Sequence, residues 1–145
     1  MYGAIPIGSF FGISDVLKEY DAGGTFALGD FVKMSSGELV VATAGDALFG
    51  LSNEAATSAS VKVQVNITPG LEVIMDNDDV GTTFAATLVG TLFDITGATG
   101  AQIVDTSTTG ATGQLYCWGY NPQGFGFNSD TSIGRFSLSE RPFGV

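Results

Sequence analysis

Histidine is absent from this 145-residue chain, and cysteine occurs once. The first absence removes Ser-His-Asp and Cys-His nucleophilic catalysis, imidazole-based zinc sites and the commonest general base at neutral pH. The second rules out an internal disulfide. Cys117 sits in the apolar run Leu115-Tyr116-Cys117-Trp118 with no cationic neighbour to stabilise a thiolate, and reads as a small buried hydrophobe. Basic residues are scarce, five Lys and Arg against 15 Asp and Glu, and the formal net charge is −10. Such a charge repels phosphate backbones and anionic membrane surfaces, so neither nucleic acid nor membrane is expected as a partner. Long apolar runs are missing too. The first 21 residues have no basic residue before Lys18 and are broken by Gly3, Pro6, Gly8 and Gly12, so they do not read as a signal peptide or a membrane span.

What is present is apolar: 44% hydrophobic residues against 14% charged. A chain of this length and composition folds as one domain with a real core. It also has little charge to spread over a monomer's surface, which is the pattern of a surface partly covered by partners.

The dominant periodicity is two. Val61, Val63, Val65 and Ile67 fall on one strand face, with Lys62, Gln64 and Asn66 on the other. Pro69-Gly70 makes a turn before a second strand over residues 71–75, expected to pair with the first. Residues 31–34 and 39–42 flank Ser35-Ser36-Gly37-Glu38, the length and glycine of a hairpin loop. Further short strands are expected at 48–51, 84–89, 91–95, 102–105, 114–120 and 134–138, separated by Gly/Thr-rich turns. Only residues 14–20 look helical, with Ser14 as a cap and Asp15 in the first turn. The expected fold is all-β: a compact single-domain β-barrel or β-sandwich of short antiparallel strands, with an extended N-terminal arm and at most one short helix. The arm, including that helix, is assigned to residues 1–24 and the β domain with an apolar C-terminal tail to 25–145. Gly29-Asp30 and Gly45-Asp46 look alike, but the residues after them diverge, and no repeat is assigned.

Two patterns suggest chemistry and do not carry it. VIMDNDDVG, residues 73–81, has the acids and glycine of a calcium loop, but its fifth position is Val80 and its twelfth Thr87. A calcium loop needs oxygen ligands there, so the stretch reads as a polar hairpin turn. Asp94 and Asp105, considered as a carboxylate pair, each follow an apolar strand residue beside a Thr/Gly turn, where aspartate is expected anyway. No catalytic residue, metal site or cofactor is expected, and the protein is not expected to be an enzyme.

The aromatic residues are more informative. LYCWGYNPQGFGF, residues 115–127, puts Tyr116, Trp118 and Tyr120 on one strand face, followed by Phe125 and Phe127. Such a run fits a core or subunit contact, and as the alternative a sugar-stacking platform. Both chain ends are apolar where termini are usually polar unless docked. Tyr2, Ile5, Ile7, Phe10 and Phe11 at the start, and Arg141 and Phe143 at the end, are therefore the candidate partner-binding residues. Two arrangements stay open: an arm that orders on a partner, and one folded back onto its own domain.

The progression Gly29-Asp30-Phe31-Val32, Gly37-Glu38-Leu39-Val40-Val41-Ala42, Gly45-Asp46, Phe49-Gly50-Leu51, then Val61 to Ile67 and Pro69-Gly70, resembles the decoration, or cement, proteins of tailed-bacteriophage capsids. The likeness spans most of residues 25–120 and rests on turn patterns. It implies a structural virion protein, made in the bacterial host cytoplasm and located on the capsid surface, which stabilises the shell. The implied partners are a major capsid protein of the HK97-like fold and further copies of the chain, as a homotrimer. Under that resemblance VIMDNDDVG is an exposed hairpin tip near a symmetry axis. The alternatives are a carbohydrate-binding module built on the aromatic run around Trp118, and a tail or fibre component.

Overall fold

The computed structural model describes residues 3–78, 84–110, 113–120 and 132–138. Among these residues eleven strands run in chain order: β1 (Ile5–Ser9), β2 (Leu17–Asp21), β3 (Phe31–Ser35), β4 (Glu38–Val41), β5 (Gly50–Ser52), β6 (Lys62–Asn66), β7 (Leu71–Asp76), β8 (Leu92–Thr96), β9 (Ile103–Gly110), β10 (Leu115–Tyr120) and β11 (Ile133–Leu138). The one helical element among the described residues is a 3-10 turn at Ala86–Leu88. The fold is all-β, as expected: two antiparallel sheets in a single domain, ordered β2-β6-β5-β3-β4 and β1-β7-β11-β10-β8-β9.

Both sheets curl until their edges meet. In the first, Ala22, one residue past β2, forms a parallel bridge with Leu39 of β4, and the Gly23 N–H donates to the Leu39 carbonyl at 2.7 Å. In the second, Asn77, one residue past β7, forms a parallel bridge with Val104 of β9. Adding five to each strand number of the circuit β2-β6-β5-β3-β4 gives β7-β11-β10-β8-β9, the order seen in the second sheet. The chain is therefore two tandem five-stranded barrels of identical wiring, with β1 added to the outside of β7. The sequence hides this repeat because the interiors are filled differently. The first holds Val32, Leu39, Val63, Val65, Phe26 and their neighbours. The second is built on three mutually edge-packed rings, Phe84, Phe93 and Phe136, with centroids 5.5–6.0 Å apart. That aromatic interior is continuous with Phe31, Ala42, Leu48 and Leu51 of the first barrel, so one apolar cluster spans the two.

Buried polar side chains fasten the halves together. The Gln102 side chain accepts from the Phe31 N–H at 2.7 Å and donates to the carbonyls of Ala42 and Phe31 at 3.0 and 3.3 Å. Gln114 accepts from the Ile95 N–H and donates to the Thr43 and Asp46 carbonyls, both at 2.8 Å. The buried Asp30 carboxylate takes the N–H groups of Ala27 and Gly100. The Gln102 bonds satisfy backbone groups of the buried Phe31 and Ala42, and the other two satisfy the buried side chains themselves, which is the condition for burying them.

Several local expectations are corrected. Residues 14–20 are not helical: β2 occupies 17–21 and pairs with β6 along its whole length. A single helical turn is unfavourable to nucleate alone, and here the Thr68 hydroxyl takes the Val16 N–H while β6 pairs with the edge of β2 that faces it. The strands either side of Pro69-Gly70 do not pair with each other, because that turn carries the chain from β6 in the first barrel to β7 in the second. The expected strand at 84–89 is instead a buried Phe84 followed by the 3-10 turn.

Candidate interaction surface

β1 lies antiparallel to β7 with Ile5 opposite Ile74, Pro6 opposite Val73, Gly8 opposite Glu72 and Ser9 opposite Leu71. Of the two arrangements left open for the arm, residues 5–9 take the docked one. Gly8 has φ +137°, at the register shift between Pro6 and Gly8. Past β1 the chain is held by main-chain and hydroxyl contacts. The Ser9 hydroxyl donates to the Pro69 carbonyl at 2.6 Å and accepts from the Phe11 N–H, and the Phe10 N–H donates to Gly70 at 2.7 Å. These bonds fix two large rings in the open: Phe10 is 51% exposed and Phe11 55%.

Phe10 lies flat on Trp118, with ring centroids 4.6 Å apart and planes 15° apart. Trp118 in turn meets Tyr116 at 4.6 Å, and its indole N–H donates to the Ser137 hydroxyl at 2.7 Å. Phe11 packs over Gly70, where an added Cβ would come within 2.6 Å of its ring. Ile13 and Leu17 continue the exposed apolar stretch toward β2. On another side, Ala4, Ile5, Pro6, Leu28, Leu51 and Asn53 line a mostly apolar cavity of about 310 Å³.

Of the residues singled out from the sequence, Ile5, Phe10 and Phe11 are exposed and Ile7 is half-buried. Tyr2, Arg141 and Phe143 lie outside the described residues, as do Phe125 and Phe127. Leu28, Ile13 and Leu17 were missed; nothing in a short apolar alternation separates an exposed leucine from a buried one. The Phe10–Trp118 stack was missed because its partners are more than a hundred residues apart.

No family model, curated protein or solved structure matches the chain.

The described part of the acidic stretch, residues 73–78, is not an exposed tip. Asp76 ends β7, Asn77 is buried in the bridge that closes the second barrel, and Asp78 accepts from the Thr106 hydroxyl at 2.6 Å; residues 79–81 lie outside the described part. No cluster of potential metal ligands occurs among the described residues. Asp94 faces Asp105 across β8 and β9, and Asp105 accepts from the backbone and hydroxyl of Ser107. Cys117 is buried, and burial pushes its thiol up, so it packs as a small hydrophobe. No helix among the described residues is long and apolar enough to cross a membrane.

Proposed function

We propose that this chain is a structural virion protein: it binds the outside of a phage capsid shell made of an HK97-like major capsid protein, as a homotrimer, and stabilises that shell. The observation that carries the reading is the exposed apolar stretch Phe10, Phe11, Ile13 and Leu17, whose aromatic end is fixed by hydrogen bonds to the Pro69-Gly70 turn. Rigid, pre-positioned aromatic side chains are good contact anchors because little side-chain entropy is lost on binding. Each copy need bind only modestly, since many contacts on a closed lattice act together. The acidic charge keeps decorated particles apart.

The sugar-binding alternative draws on the rings around Trp118. One face of Trp118 is covered by Phe10 and its N–H is taken by Ser137, so a pyranose would have to stack on Phe10. That geometry favours the protein-contact reading.

The test is the copy number of this chain in purified source particles, by quantitative mass spectrometry against the most abundant shell protein. Near-equal copies support a lattice-covering role; a few copies move it to a tail or fibre, and none removes it from the virion. Phe10→Ser with Phe11→Ser should then abolish rebinding to stripped shells while the fold persists.

A further inference from the structure

The repeated wiring shows that, among the described residues, one half lacks a strand the other half has. Aligning the two closing bridges makes Ala22 the counterpart of Asn77, so Glu19 corresponds to Ile74, Lys18 to Val73, Leu17 to Glu72 and Val16 to Leu71. On β7, the edge turned away from β11 is covered by β1 at Glu72 and Ile74. On β2, the Val16 carbonyl and the Ala22 N–H point to β6, so by alternation the N–H and C=O groups of Leu17 and Glu19 point to the opposite edge. Nothing pairs with them there among the described residues, and Leu17, Lys18 and Glu19 are all exposed. An open strand edge is a template for another extended segment.

The chain carries a segment of matching chemistry. β1 is Ile5-Pro6-Ile7-Gly8-Ser9, and residues 141–145 are Arg141-Pro142-Phe143-Gly144-Val145, the same x-Pro-apolar-Gly-x order. Both special residues have a purpose in the β1 docking. Pro6 stands opposite Val73, which directs its backbone groups to β11, so the missing N–H costs no ladder bond. Gly8 takes a positive φ at the register shift. Pro122-Gln123-Gly124 shares the spacing but lacks the apolar centre.

We infer that residues 141–145 of a second copy of this chain add to the open edge of β2 as an antiparallel strand, in the register β1 uses on β7. That register sets Arg141 opposite Glu19, Pro142 opposite Lys18, Gly144 opposite Leu17 and Val145 opposite Val16. Opposite charges directly across a strand pair are favourable, and Glu19 has no cationic partner among the described residues. The donor is a second copy because of reach. β11 ends at Leu138, beside the Leu71 end of β7; the Thr68–Leu71 turn and then residues 16–18 separate it from Glu19. Val16 to Glu19 alone takes roughly 10 Å along β2, and two intervening residues span roughly 10 Å at full extension with a reversal of direction still to make. The exposed Ile13 and Leu17 adjoin this edge and would be covered by the same contact.

The test is sedimentation equilibrium of the full chain in solution, with no shells, so a failure of the capsid reading leaves it untouched. The chain should self-associate reversibly, and Glu19→Arg or Arg141→Glu should each raise the dissociation constant at least about tenfold. The double variant Glu19→Arg/Arg141→Glu should return to within about threefold of the parent. A chain ending at residue 140 should be monomeric with an unchanged circular dichroism spectrum. Amide exchange at Leu17 and Glu19 should slow only at concentrations where the chain associates. A monomeric parent with fast exchange there overturns the inference, as does association that survives the truncation. Protection independent of concentration would assign the strand to the same chain and equally refute it.

Discussion

Replacing Gln102 by Met tests whether the two barrels are joined by polar locks or by apolar contact alone. Met has nearly the length and volume of Gln, so the change opens no cavity and isolates the hydrogen bonds. Gln102 is fully buried, and its amide accepts from the Phe31 N–H and donates to the Ala42 carbonyl. The Phe31 carbonyl keeps the Ala42 N–H at 2.9 Å, so it is not orphaned. Two buried backbone groups therefore lose the Gln102 amide, at about 1–3 kcal/mol each, or about 4 kcal/mol together. Against a total stability of about 5–15 kcal/mol that is a large fraction, and at about 2–4 °C per kcal/mol it lowers Tm by about 10 °C. Urea and thermal unfolding followed by circular dichroism measure it, with Gln64→Met, at a partly exposed position, as a control expected within about 0.5 kcal/mol of the parent. A fall in Tm below about 2 °C for Gln102→Met would refute the lock.

Gly70→Ala forces a side chain onto a residue with φ +67° and drives its Cβ into the Phe11 ring; urea unfolding should show a loss of at least about 1–2 kcal/mol, and an unchanged midpoint would deny the left-handed conformation as well as the contact. Trp118 is the single tryptophan, so Phe10→Ala should shift its fluorescence to the red and cost about 0.5–1.5 kcal/mol, whereas an unmoved emission maximum would deny the stack. Burial alone would raise the Asp46 carboxyl, but the Thr43 N–H, the Lys33 ammonium at 2.9 Å and the Thr43 hydroxyl outweigh it and hold it below the ordinary aspartate value of 3.8. A carboxyl lowered in the folded state contributes stability above that value and loses it as pH falls through the folded one. Asp46→Asn should therefore be less stable than the parent at neutral pH, with the gap closing below pH 3.8, and a gap independent of pH would contradict this. Asp94→Lys places a cation opposite Asp105 and should gain about 0.2–1 kcal/mol; a loss would show that the two carboxylates are kept apart.

The strand content was legible because period-two alternation needs only near neighbours: residues 61–67, 31–34 and 39–42 announce β6, β3 and β4. Pairing was less so. Pro69-Gly70 marks a turn, but whether the next strand returns alongside or crosses to another sheet depends on where 71–75 finds apolar cover, which is the second barrel's interior. At β2, local residues favour a helical turn while the unpaired edge of β6 and the Thr68 hydroxyl decide for a strand. Candidate contact residues were legible as misplaced apolar side chains near the chain ends. Phe10 is visible in that way, but its stacking on Trp118 is a product of topology.

Because β1 pairs with a strand of the second barrel, the order of synthesis and the order of docking run opposite ways. The first barrel draws all its strands from residues 17–66 and can close while the rest is still being made. Residues 5–9 emerge before any of it, yet their seat between Leu71 and Ile74 is complete only once β11 has been made and paired. At about 5–20 residues per second, the interval is on the order of ten seconds. Throughout it Ile5, Ile7, Phe10 and Phe11 stay uncovered on a nascent chain. A cell making many copies therefore holds a pool of chains in which this apolar segment is free, and a chaperone with an affinity for such segments should meet this protein at residues 5–11.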